Sequence, residues 1–280
     1  MPDFKITRDR DAWAVVRGFV YQVDLTIDRW LQMQSGQVLE LERGEDIDLV
    51  TQSLAAAPDQ YVRLLEQVKH RVTPISLRSP SAVASIACAV EHRMSNLGSN
   101  LLFRYTTNAT ITGERVSLLS PSAPAITLWE EIRKDQISVV TQRQHLTQIR
   151  EILKSAKCPN GLNPATWNIF SDFLARSGDD DFLDLVRRFE WSTNAPEAKQ
   201  LEPQIRQSLI TQRHANTEEV AKEQYQRLFL YVFKLLTQSD PAASSTYASE
   251  VIDACRKAGA NASERSLWVS TTDLIELAFV

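Results

Sequence analysis

Gly36-Gln-Val-Leu-Glu-Leu-Glu-Arg-Gly-Glu-Asp46-Ile-Asp-Leu-Val50 and, after an interval, Tyr61-Val-Arg-Leu-Leu-Glu-Gln67-Val-Lys69-His-Arg71 are the two runs on which the fold turns. Gln37 to Glu42 alternates apolar and polar residues, the period of a half-buried strand. Arg43-Gly44-Glu45 reads as a tight turn, and the alternation resumes from Asp46 to Val50. Residues 55–60 form a connector, and Tyr61 to His70 is a third strand of mixed pattern.

Outward from these strands the periods change. Phe19, Val20, Val23, Leu25, Ile27, Trp30 and Leu31 place one apolar face on a helix from about Trp13 to Met33. After a loop holding Pro74 and Pro80, Ser79 stands as an N-cap and a second helix is expected over Ser81 to Met94. Asn100 to Thr106 is a further, largely apolar strand. Helix, three strands, helix, strand implies an α/β fold, a mixed sheet layered by helices, over residues 1–120. Beyond Ser120-Pro-Ser-Ala-Pro124 strand signals nearly vanish, and residues 121–280 read as a mostly α-helical domain. Its expected helices are Ile126–Asp135, Val139–Ala156, Pro164–Arg176, Asp180–Phe189, Leu201–Arg213, Glu218–Leu236 and Ser245–Ala258.

Composition narrows the functional classes. With 43% hydrophobic residues the chain can build a core, and no apolar run reaches the roughly 20 residues of a membrane span. The N-terminus has no apolar signal region, so no membrane partner and a cytoplasmic location are expected. Cys88, Cys158 and Cys255 form no CxxC pair, which argues against a zinc site. The formal net charge of −4 argues against a wholly basic nucleic-acid binder, although a local patch sets such a contact. No glycine lies in a GxxxxGK[ST] or GxGxxG loop.

The chemistry lies in the acidic and basic residues of the two quoted runs. Gln67 and Lys69, two apart on one strand, share a face, while Glu66 points to the other. If the second and third strands are neighbours, Asp46, Gln67 and Lys69 converge at one edge. Phosphodiester hydrolysis needs oxygen donors for a hard cation such as Mg²⁺ or Mn²⁺, and a fixed positive charge for the transition state. Asp46 and the Gln67 amide are the expected metal donors and Lys69 the expected positive charge. Asp48 is the alternative to Asp46; Glu42, on a face with Glu40, is a candidate auxiliary metal ligand, the other reading of both being exposed strand residues. His70 and Arg71 follow directly and suit phosphate contacts. Tyr21 and Gln22 are expected to fix the first helix against the sheet. His92, His145 and His214 have no ligand-spaced partners. The aromatic residues 225, 229, 231 and 233 read as packing, and Asp179-Asp180-Asp181 as a helix start favoured by the dipole.

At Asp46 and Gln67-x-Lys69 the chain resembles the PD-(D/E)XK, restriction-endonuclease-like nucleases, in the Mrr-type variant with Gln-x-Lys. Arg17-Gly18-Phe-Val-Tyr21-Gln22, Glu45-Asp46-Ile, Glu66 to Arg71, and Phe103-Arg-Tyr-Thr-Thr107-Asn108 together resemble the N-terminal double-stranded DNA endonuclease domain of bacterial CBASS and STAND-type antiphage effectors. The resemblance covers about residues 12–110, with an echo from Asp181 to Glu190. It implies a Mg²⁺-dependent endonuclease acting on duplex DNA, activated by oligomerisation or by a sensor. The chain has no evident sensor domain, so the resemblance implies either an excerpt of a larger effector or a sensing partner. The helical half would then be linker, homo-oligomer surface or DNA clamp. A non-catalytic adaptor with a decayed nuclease fold and a nuclease for RNA or single-stranded DNA are the alternatives.

Overall fold

The computed structural model describes residues 12–33, 37–42, 44–52, 61–114, 123–212, 214–236 and 268–269. The alternating runs form β1 (Gln37–Leu41), β2 (Ile47–Gln52) and β3 (Tyr61–Lys69), and the apolar run forms β4 (Asn100–Thr107). With β5 (Phe189–Ser192) and the two-residue β6 (Trp268–Val269) they make one mixed sheet in the order β5-β4-β3-β2-β1-β6. β1, β2 and β3 pair antiparallel, whereas β3, β4 and β5 run parallel. Parallel neighbours require a crossover, and α2 (Pro80–Ser95) supplies it between β3 and β4.

Helices cover both faces. α1 (Ala12–Leu31), α7 (Ala198–Thr211) and α8 (Glu218–Leu236) pack on one, where Leu39, Leu41, Ile47 and Val68 meet Tyr21, Leu25, Ile205 and Leu228. On the other face Leu65, Phe103 and Tyr105 meet α2 together with α3 (Ala125–Arg133), α4 (Val139–Lys154), α5 (Pro164–Arg176) and α6 (Asp179–Arg188). Even-numbered residues of β3 therefore face α1 and odd-numbered ones face α2. Trp129 anchors the α2 side: fully buried, it donates its indole N–H to the carbonyls of Val186 (3.1 Å) and Phe189 (2.9 Å).

Several expectations shift by local physics. Asp46 lies in the bend ahead of β2 rather than in the strand, and Glu42 lies beyond β1 with φ 53°. That left-handed conformation breaks the face it was expected to share with Glu40. Ser79 occupies the N-cap position of α2, but its hydroxyl accepts from the Ser76 N–H instead of capping the helix. The helical half contributes β5 to the sheet, beside β4. The connector 55–60, most of 115–125 and the helix expected at 245–258 lie outside the described residues. Among the described residues no helix is long and apolar enough to cross a membrane.

Candidate functional site

β3 pairs antiparallel with β2 on one side and parallel with β4 on the other. The bend 42–46 meets its C-terminal end. The Asp46 carboxylate accepts the Val68 backbone N–H on Oδ2 at 2.7 Å, which ties the bend to β3. Lys69 Nζ lies 3.6 Å from the same oxygen, with its side chain 39% exposed, so its charge remains reachable from solvent. Gln67 donates Nε2 to Glu45 Oε2 at 3.3 Å, and its buried Oε1 has no hydrogen-bond partner. From α1, Gln22 donates Nε2 to Glu42 Oε1 (2.6 Å) and to the Asp46 carbonyl (3.4 Å).

The structure thus brings Asp46, Gln67, Lys69 and Glu42 to one corner. It adds Glu45, which the sequence reading passed over as a turn residue. Its signal was available: three acids within five positions, spread around a glycine, crowd carboxylates. Burial, followed by the neighbouring Asp46 and Asp48, pushes the Glu45 carboxyl up to about 8. Glu42 is raised by desolvation, eased by the Gln22 hydrogen bond, and raised again by Asp46. Since Glu42 is an exposed residue, solvent screens much of that shift. His92 of α2 approaches Glu45 to 3.8 Å, and burial holds its imidazole below the ordinary histidine value.

Three nearby acids have other duties. Asp48, fully buried, accepts from the backbone N–H of Gly44 (2.9 Å) and Glu45 (3.1 Å) and pairs with Arg63 at 2.9 Å. It is therefore no alternative to Asp46 as a ligand. Burial, opposed by Arg63, still lifts its carboxyl to about 6. Glu40 binds the same Arg63 nitrogen at 2.5 Å, on the sheet rather than at the corner. Glu66 faces α1, as strand parity requires, where Arg29 (2.9 and 3.0 Å) and Thr106 (2.5 Å) donate to it and Arg104 lies 3.5 Å away. Burial would raise its carboxyl, but Arg29 and then Arg104 bring the balance below the usual range.

His70 and Arg71 turn from the corner. His70 lies edge-on to Tyr21 (5.2 Å) and 3.9 Å from Glu197. Arg71 donates to Ser81 Oγ at 2.6 Å and exchanges backbone hydrogen bonds with the Asn108 side chain, fastening the loop to α2 and β4.

Among the described residues no three His, Cys, Asp or Glu side chains gather into a ready metal cage. The oxygen groups here are the Asp46 and Glu42 carboxylates and, on β3, the buried Gln67 Oε1 without a hydrogen-bond partner. Oxygen-only donors completed by water suit Mg²⁺ or Mn²⁺, and the unmatched acidity around Glu45 suits any cation.

No family model matches the chain, and no curated protein does. Among solved structures it is similar to the Acinetobacter baumannii Cap4 SAVED/CARF-domain receptor with the cyclic trinucleotide 2'3'3'-cAAA, at 11% identity and TM-score 0.46, over 82% of this chain and 41% of that one. It is similar also to the Moraxella osloensis Cap4 SAVED/CARF-domain receptor, at 12% identity and TM-score 0.43, over 77% of this chain and 42% of that one. The chain thus spans about two fifths of these structures' length. Both are receptors with a SAVED/CARF domain, and the first holds a cyclic trinucleotide. This corrects the expectation of a PD-(D/E)XK nuclease, and with it that of an endonuclease acting on double-stranded DNA, with DNA as partner.

Proposed function

We propose that the corner of Glu42, Asp46, Gln67 and Lys69 is a divalent-cation site that engages a phosphodiester, and that hydrolysis of such an ester is the chemistry its groups suit. One observation carries this reading. Glu40, Asp48 and Glu66 are each matched by arginine, whereas among the described residues the cation beside Asp46 is Lys69, at 3.6 Å, and the buried Gln67 Oε1 on the same strand as Lys69 has no hydrogen-bond partner. A bound cation supplies Lewis-acid polarisation of a phosphate oxygen and a water of lowered pKa. Asp46, Glu42 and Gln67 would hold it. The Val68 N–H fixes Asp46, Gln22 fixes Glu42, and Lys69 carries a mobile positive charge to the same place. There it would meet the extra negative charge of the transition state.

The test uses the whole chain with Mn²⁺ and two phosphodiesters, bis(p-nitrophenyl) phosphate and cyclic tri-adenylate, the latter because the Acinetobacter baumannii receptor holds such a cyclic trinucleotide. Hydrolysis is expected in wild type and lost with EDTA. Lys69→Met should lower kcat about 100-fold, the usual cost of one transition-state contact, with Mn²⁺ still bound. Asp46→Asn should lose Mn²⁺ binding. Turnover by both variants at the wild-type rate would overturn the assignment. Binding of the cyclic trinucleotide without turnover would leave recognition in place and remove hydrolysis.

A further inference from the structure

We infer that Asp48 is a positioning residue for this corner. The inference rests on the cation reading above and adds what sets the corner's shape. The bend 44–46 carries two of its acids; Val68 ties its far end, at Asp46, to β3, and Asp48 holds its near end. Asp48 reaches back along the chain with both oxygens: Oδ2 accepts from the Gly44 N–H at 2.9 Å, and Oδ1 from the Glu45 N–H at 3.1 Å. Each oxygen thus fixes one peptide of the bend, and the next residue is Asp46. Asp48 cannot swing away. It is fully buried, and Arg63 Nη1 grips Oδ2 at 2.9 Å while also binding Glu40 on β1. A carboxylate locked by β1 and β3 therefore dictates where the bend points.

The close approach is visible at Gly44. A Cβ there would lie 2.6 Å from Leu65 Cδ2 and 3.0 Å from Asp48 Oδ2, so any side chain displaces the bend, the leucine or the carboxylate. Partners one layer behind metal ligands commonly control affinity 10–100-fold, because they fix the ligand's direction. Asp48→Asn is the informative change. It keeps size and burial, but an amide offers one acceptor where two N–H groups need one each, and its NH₂ would face a donor.

The experiment compares wild type, Asp48→Asn, Gly44→Ala and Glu66→Gln. Glu66 is equally buried and ion-paired, but on the α1 face, so Glu66→Gln reports what loss of a buried pair does in general. Mn²⁺ affinity is read by electron paramagnetic resonance, and the amide ¹H shifts of Gly44 and Glu45 by NMR. Asp48→Asn and Gly44→Ala should each weaken Mn²⁺ binding about tenfold or more, with Glu66→Gln at the wild-type value. The Gly44 and Glu45 amides should move upfield in Asp48→Asn. Should Asp48→Asn not fold, Gly44→Ala decides the matter, because it crowds Leu65 and the Asp48 carboxylate against the bend and removes no charge. Wild-type affinity in a folded Asp48→Asn or Gly44→Ala, or equal weakening in Glu66→Gln, overturns the positioning role. If wild type binds no Mn²⁺, the cation reading is overturned and the role with it; unmoved amides with Mn²⁺ binding intact overturn the role alone.

Discussion

Asp46 and Asp48 are two residues apart and were interchangeable as candidate ligands on spacing alone. The structure separates them by what surrounds each. Asp48 spends both oxygens on backbone N–H groups and Arg63, whereas Asp46 takes a single backbone N–H and a half-exposed lysine. Lys69 and Gln67 were legible because a strand alternates strictly, and the same rule sent Glu66 to the α1 face. Glu45 was not legible, since it lies in an irregular bend whose side-chain directions no period dictates. Glu66 also gives a prediction at this scale. Removing one partner from a buried ion pair is costly, but Arg29 keeps Asp28 and Arg104 keeps Glu190, so Glu66→Ala should cost about 3 kcal/mol in urea unfolding, the low end for such a loss. A loss under 1 kcal/mol would mean that Asp28, Glu190 and water satisfy those guanidinium groups without Glu66.

At the scale of elements, α1 is held from two sides, by the sheet and by α8. Its Asp24 is 2% exposed and accepts a 2.8 Å hydrogen bond from the Tyr225 hydroxyl of α8. Burial is the largest influence on Asp24 and lifts it to about 6, with the Tyr225 bond opposing and Glu202 of α7 adding. The sign follows from linkage. A carboxyl raised in the folded state holds its proton longer there than in the unfolded chain. Its contribution is therefore most favourable below about pH 4 and is lost as pH rises through about 6. Asp24→Asn keeps an acceptor for Tyr225 and cannot ionise. It should be more stable than wild type by on the order of 2 kcal/mol at pH 7.5, the difference closing toward pH 4. A difference that does not vary with pH in thermal melts would refute the role given to Asp24. Helix existence was well marked in the sequence, since α5 and α8 fall where their apolar periods and breakers put them. β5 was not: four residues leave too short a period, and Phe189 read as the end of a helix.

For the whole molecule, the apolar residues behind the α2 face of the sheet belong to both halves of the chain. Leu65, Phe103 and Tyr105 pack in one cluster with Trp129, Phe170, Phe182, Phe189 and Trp191. Such sharing predicts that Trp129→Ala, which empties the centre of that cluster, costs about 3–5 kcal/mol. It also predicts one unfolding transition by fluorescence and circular dichroism together. Two separated transitions would instead show the residues beyond 120 unfolding as a unit of their own. Local patterns could not announce this cluster, because which helix meets which strand is decided by contacts distant in sequence. The sheet places the acidic corner beside β3, the strand with one antiparallel and one parallel neighbour, and the proposed chemistry needs a cation lying there. The most direct test is Mn²⁺ titration into ¹⁵N-labelled protein, read by paramagnetic broadening. The account predicts that the amides of Glu42, Glu45, Asp46, Val68 and Lys69 broaden first, at low metal-to-protein ratio. Broadening centred on the acidic start of α6 at Asp179, Asp180 and Asp181, or spread without a centre, would contradict it.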